Sequence, residues 1–167
     1  MWWRLSRSQF EAHKGDANRR ALRRLVEGGA VPGLLAYCDD QPAGWCCLGP
    51  RTAFPALDRS RVLARIDDQP VWSIVCFFVA RSHRHQSLSL WLAQAAVDYA
   101  RASGAAIVEA YPIDPSSPAY PDPYAYTGLL STFIRTGFSE VARRSPTRPI
   151  VRSRLKPSAA EKGVQHG

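Results

Sequence analysis

The stretch VWSIVCFFVARSHRHQSLSLWLAQAAVDYA, residues 71–100, decides the fold. It opens on a continuous apolar run over 71–79, with β-branched and aromatic residues, bounded by Pro70 and by charges. A short run of that kind is a buried central strand. From residue 88 the period changes. Leu88, Leu92, Ala95, Ala96 and Tyr99 recur at helical spacing, and Gly104 ends a helix over 88–103. The next apolar run, AAIVEAYPI at 105–113, is another strand. Strand, helix, strand places the two strands parallel through a right-handed crossover.

The junction RSHRHQSLSL, 81–90, holds two arginines and two histidines. His83 and His85 stand two apart, share a face only on a strand, and have no third ligand nearby. No metal site is expected. A strand that feeds a helix N-terminus leaves the first amides without intrahelical partners at the positive end of the dipole. Such a junction suits an anion, and pyrophosphate is the natural guest. Arg81, Arg84 and His85 add positive charge around it.

Charge alone would invite a nucleic-acid reading, since the 167 residues carry a formal net charge of +8. The arginines are scattered, however, between Arg19, Arg20, Arg23 and Arg24 early and Arg143, Arg144, Arg148, Arg152 and Arg154 late. No aromatics interleave with them as a stacking platform requires. The expectation is a solvated basic surface that attracts small anions, without nucleic acid as a partner. The longest apolar run is about half a bilayer span, so no membrane partner is expected either. The start, MWWRLSRSQF, lacks the apolar segment of a signal peptide, and the expected location is cytoplasmic. Four cysteines, Cys38, Cys46, Cys47 and Cys76, form no C-x-x-C pair and read as reduced thiols. Adjacent Cys46 and Cys47 on a strand point to opposite faces.

Outward from the core stretch, residues 6–27 read as one helix closed by Gly28 and Gly29. Residues 34–38 and 44–48 read as a hairpin around DDQPA. Residues 51–70 read as a loop with local helix. PIDPSSPAYPDPYAY, 112–126, is a loop rich in proline, aspartate and tyrosine. A short amphipathic helix over 128–136 is capped by Gly137, and 138–143 and 150–155 read as closing strands. One domain spans 1–155, and the polar tail 156–167 is expected to be disordered.

These residues resemble the GNAT superfamily of N-acetyltransferases. In that family a strand ends in a Q/R-x-x-G-x-G/A loop that opens a helix, and the loop amides hold the pyrophosphate of acetyl-CoA. The matching residues are Arg84, His85, Gln86, Ser87, Leu88 and Ser89, with Ser87 and Ser89 where glycines are usual. Glycine lets backbone approach a phosphate closely, whereas a serine hydroxyl can donate to it. STFIRTGFSEVAR, 131–143, resembles the family's late Gly-Phe element at Gly137 and Phe138. Phe133 stands where the family often has the tyrosine that protonates the leaving thiolate. The likeness covers roughly 30–155. The family's first strand and first helix look missing or reduced, as in a shortened N-terminus. Trp2 and Trp3, so near the terminus, are expected to pack into the fold or a partner, which includes a homodimer.

The resemblance implies an α/β (α+β) fold, a mixed central sheet flanked by helices. It implies acetyl-CoA as co-substrate and an amine-bearing acceptor that attacks directly. Backbone groups of Phe77, Phe78 and Val79 would pair with pantetheine as an added strand. Glu109, in the strand after the helix, is a candidate base through water; the other reading is a strand carboxylate facing solvent or a basic neighbour. Tyr124 and Tyr126 are candidate acids in place of Phe133, and Tyr111 ends the strand. Asp114 either contacts a cationic substrate or forms a turn. Cys76 has no adjacent histidine and is not expected to carry an acyl group.

Overall fold

In the computed structural model, residues 1–115 and 126–156 are described. Tyr124, the loop over 116–125 and the tail over 157–167 lie outside them. Six strands form one sheet: β1 (Gly33–Cys38), β2 (Gln41–Pro50), β3 (Trp72–Val79), β4 (Ile107–Ala110), β5 (Ser139–Arg143) and β6 (Pro149–Arg154). Their order is β1-β2-β3-β4-β6-β5, and the β3–β4 pair alone is parallel. This is the mixed sheet flanked by helices that the sequence implied.

The chain before β1 forms two helices, α1 (Arg7–Ala12) and α2 (Asp16–Glu27), rather than one. Gly15 separates them with φ +80°, a left-handed value that interrupts the helix and suits a residue without Cβ. No strand precedes Gly33 among the described residues. The β1–β2 turn is tighter than DDQPA suggested. Asp39 and Asp40 both have positive φ, and the ladder resumes at Cys38↔Gln41. Residues 51–70 contain a 3₁₀ turn at Arg51–Ala53 and α3 (Pro55–Asp58), with proline at its start.

Helix α4 (Leu88–Ala102) packs on one face of the sheet through Leu92, Ala93, Ala96, Val97 and Ala100. Ala95, expected on that face, is exposed. Phe133 of α5 (Leu130–Arg135) and Phe138 join the same core. A second core on the opposite face gathers Trp3, Phe54, Leu57, Val75, Tyr111 and Ile150. Cys46 lies in the first core and Cys47 packs against the second, the opposed faces expected of strand neighbours.

Strand β3 contains a bulge. Cys76 pairs with Cys47 and Ile74 with Leu48, which leaves Val75 as the extra residue. Ile74 and Phe77 consequently face the α4 core, whereas Val75 and Cys76 face the other. Pairing of β3 with β4 stops at Ile74↔Ala110, immediately before the bulge. Past that rung the parallel strands separate.

Candidate active site

The wedge between β3 and the chain after β4 is bridged by residues 126–129. The Phe77 N–H donates to the Tyr126 carbonyl at 2.6 Å, and the Ile113 N–H donates to the Gly128 carbonyl at 2.8 Å. Gly128 has φ +85°, and a Cβ there would stand 2.8 Å from the Phe133 ring. Only glycine lets the chain pass so close to that ring. Phe133 itself is fully buried, with its ring centroid 5.8 Å from that of Phe77.

A cleft of about 420 Å³ opens beside this wedge. Its lining includes Phe77, Val79, Arg84, His85, Ser87 and Ser89, together with Tyr126. The chain leaves β3 through a 3₁₀ turn at Arg81–His83 and enters α4 at Ser87. The Arg84 Nε approaches the Val79 carbonyl at 3.5 Å. Gln86 Nε2 donates to the Ser82 carbonyl at 3.3 Å. Leu88 and Ser89 open the helix, and their amides have no acceptor among the described residues, as the first turn of a helix requires.

Backbone conformation in this turn departs from the sequence reading. Ser87 caps α4 with φ +59° and ψ +14°, and His85 has φ +61°. Ser87 therefore occupies a left-handed position that glycine would fill without strain, rather than an ordinary helix-start conformation. Its side chain makes no capping bond. Ser89, by contrast, lies inside the helix.

Glu109 is not at the cleft. Its side chain is buried, with Oε1 accepting from Arg51 Nη1 at 2.8 Å and Oε2 from Arg152 Nε at 2.7 Å. The Tyr111 hydroxyl donates to Oε1 at 2.6 Å. Both oxygens are thus committed to guanidinium and phenol donors. Of the two readings, the basic-neighbour one describes its surroundings. Arg51 also reaches Asp58, and Arg152 reaches Asp67, so the network runs from core to surface. Burial and the Glu109 charge push the Tyr111 phenol well above its ordinary range. Asp114 is ion-paired to Arg143 at 2.8 Å.

Tyr126 is the candidate acid that the structure brings to the cleft. Its ring lies 6.5 Å from that of Trp3. Burial raises its phenol above the ordinary value, against the opposing charge of Arg148. It therefore holds its proton at neutral pH. Burial likewise pushes the Cys76 thiol up to about 11. The described residues contain no cluster of three or more His, Cys, Asp or Glu that could hold a metal. No described helix is long and apolar enough to cross a membrane.

Trp3 is buried in the second core, and Trp2 stacks edge-on against Phe10 at 5.2 Å while remaining 40% exposed. Sequence reasoning missed the β3 bulge, the left-handed Ser87 and Arg51 as a partner of Glu109. Arg51 carried one signal, a charged residue directly after an apolar strand.

Comparison with known proteins agrees with this geometry. The family model described as Acetyltransferase (GNAT) family matches residues 1–120. No curated protein matches. Among solved structures, an N-acetyltransferase from Staphylococcus aureus Mu50 superposes with TM-score 0.57 at 15% identity, over 86% of this chain and 79% of that one. An acetyltransferase of the GNAT family from Desulfovibrio desulfuricans gives 0.54 at 21%, over 83% and 79%. The NatC complex, solved bound to Gag peptide and CoA, gives 0.52 at 10%, over 82% and 79%.

Proposed function

Because the chain belongs to the GNAT family of acetyltransferases, we propose that it is an N-acetyltransferase that moves an acetyl group from acetyl-CoA to the amine of an acceptor. The observation that carries this reading is the continuous cleft from the α4 N-terminus to Tyr126. Its residues fit the co-substrate. The amides of Leu88 and Ser89, without acceptors among the described residues, suit a pyrophosphate, and Arg84, His85 and Ser87 line the cleft beside them, with Gln86 in the same turn. The side of β3 that β4 leaves unpaired beyond the bulge, held at the Phe77 amide by the Tyr126 carbonyl, suits pantetheine as an added strand along Phe77, Phe78 and Val79. NatC, a neighbour in fold, is itself a CoA-bound structure.

Acetyl-CoA supplies an activated acyl group. The acceptor nitrogen, neutral, bonds the acetyl carbon as the C–S bond breaks. One proton leaves the nitrogen for water. The departing sulfur takes a proton from the Tyr126 hydroxyl, which is restored from solvent. Tyr126 is the acid in this reading because it lines the cleft and holds its proton. Tyr124 is not assigned a role. Glu109 is assigned a structural one, as the anion that neutralises two buried guanidiniums.

A second reading is a CoA-binding module without turnover. It draws on Phe133 at the usual tyrosine position and on the Phe77 amide being engaged by Tyr126. Calorimetric titration with acetyl-CoA, followed by free-thiol release over an amine panel, separates the two. Saturable binding with thiol release supports the enzyme, and binding alone supports the module. Absence of binding sinks both.

A further inference from the structure

Tyr126 lines more than the cleft. Two further cavities, of about 400 and 440 Å³, share Trp2, Trp3 and Tyr126 as common wall. The first is completed by Phe10, Leu22, Trp45 and Phe54 and is strongly apolar, with Arg4 at its lining. The second is bordered by Arg7, Arg59 and Arg148. Among the described residues, no aspartate or glutamate lines either one.

The four arginines, like Arg144, which is held by the Ala64 and Arg65 carbonyls, differ from the ion-paired arginines of the molecule. Arg51, Arg143 and Arg152 are each paired to carboxylates. Arg4, Arg7, Arg59 and Arg148 have no carboxylate partner among the described residues. Three of them are nevertheless held in place. The Arg4 guanidinium lies 4.6 Å from the Phe54 ring centroid. Arg59 donates to the Leu5 carbonyl at 2.8 Å, and Arg148 to the Thr127 hydroxyl at 2.9 Å. Between the cavities, the Trp3 indole N–H is buried and has no acceptor among the described residues. A buried donor left without an acceptor is destabilising, and a ligand oxygen would satisfy it.

Positioned cations without counter-ions, aromatic walls and one orphaned donor describe a particular guest. We infer that this cavity pair is the acceptor site, and that the acceptor is a small amine bearing a carboxylate on an aromatic or bulky apolar body. That is the chemistry of an aromatic amino acid. The acceptor role rests on the acetyl-transfer reading above. The carboxylate meets the unpaired guanidiniums and the indole N–H, and the apolar body replaces water against Trp2, Trp45 and Phe10. Polycations are repelled by the same four charges. The charges also favour the neutral form of the acceptor's amine, which is the nucleophilic form. That lessens the need for a dedicated base where Glu109 is committed elsewhere.

The full chain is titrated calorimetrically with phenylalanine, phenylalanine amide and spermidine, and thiol release from acetyl-CoA is measured with each. The acid is expected to bind at least tenfold tighter than either competitor and to be the substrate that releases thiol. Arg4→Gln is expected to narrow the acid-to-amide ratio below threefold, and Arg59→Gln serves as an independent variant should the first misfold. Equal or tighter binding of the amide or spermidine overturns the inference, as does no binding of the acid at millimolar concentration. Thiol release confined to amines without a carboxylate overturns it while acetyl transfer stands. If no amine releases thiol, acetyl transfer itself fails, and the acid-to-amide ratio still decides the ligand class.

Discussion

The amide of Phe77 is bonded to the carbonyl of Tyr126 at 2.6 Å, across the wedge that opens where β3 and β4 part. One bond thereby fixes the residue proposed as proton donor to the strand edge proposed to receive pantetheine. The register makes Phe77 available for it. The bulge at Val75 ends pairing with β4 at Ile74 and Ala110.

Tyr126→Phe keeps the backbone bond and the ring while removing the hydroxyl. The expected result is a fall in kcat of about 10²-fold with little change in acetyl-CoA affinity. Steady-state kinetics beside calorimetry checks it. Unchanged kcat would remove Tyr126 as the acid.

Ser87→Gly relieves a left-handed serine. Unfolding stability is expected to rise by about 1 kcal/mol, with acetyl-CoA affinity kept or increased. Ser87→Glu places a carboxylate against the proposed pyrophosphate site and is expected to abolish binding. Normal binding by Ser87→Glu would show that the phosphates lie elsewhere. Thermal melts and titration measure both effects.

Glu109→Gln leaves Arg51 and Arg152 without the anion that lies between them. A loss of about 3–5 kcal/mol in unfolding stability is expected, as for a broken buried ion pair. At a temperature where the variant remains folded, the pH profile of kcat should match that of the parent. A profile that loses its acidic limb would return Glu109 to the role of base.

Asp67 carries the acid sensitivity of the same network. The Arg152 hydrogen bonds hold its carboxyl at about 2, below its ordinary 3.8. Its stabilising contribution is complete above the ordinary value and is lost as pH falls through about 2. Urea unfolding between pH 5 and pH 2 should steepen its decline below pH 4, and Asp67→Asn should flatten that part of the curve. An identical slope in the variant would exclude Asp67 as a source.

The central strand, the long helix and the strand after it were legible because each has a periodic apolar pattern. The hairpin was legible from its turn residues. The bulge was not. Val75 and Cys76 are both apolar within an apolar run, so the doubled face leaves no trace in the pattern. The split at Gly15 was hidden because the flanking residues all suit helices. The positive φ of Ser87 was hidden because serine masks what glycine would have announced. Glu109 was ambiguous because its partners lie 58 and 43 residues away, and ion pairing across such separations has no local signature.

The extra residue in β3 also sets the phase of the strand. Deleting Val75 would restore strict alternation with Phe77 still on the α4 face, remove the distortion at which the β4 ladder stops and let β3 pair with the chain after Ala110. The cleft is therefore a frame-dependent feature: substitutions along this strand can tune it, whereas a single-codon deletion would close it.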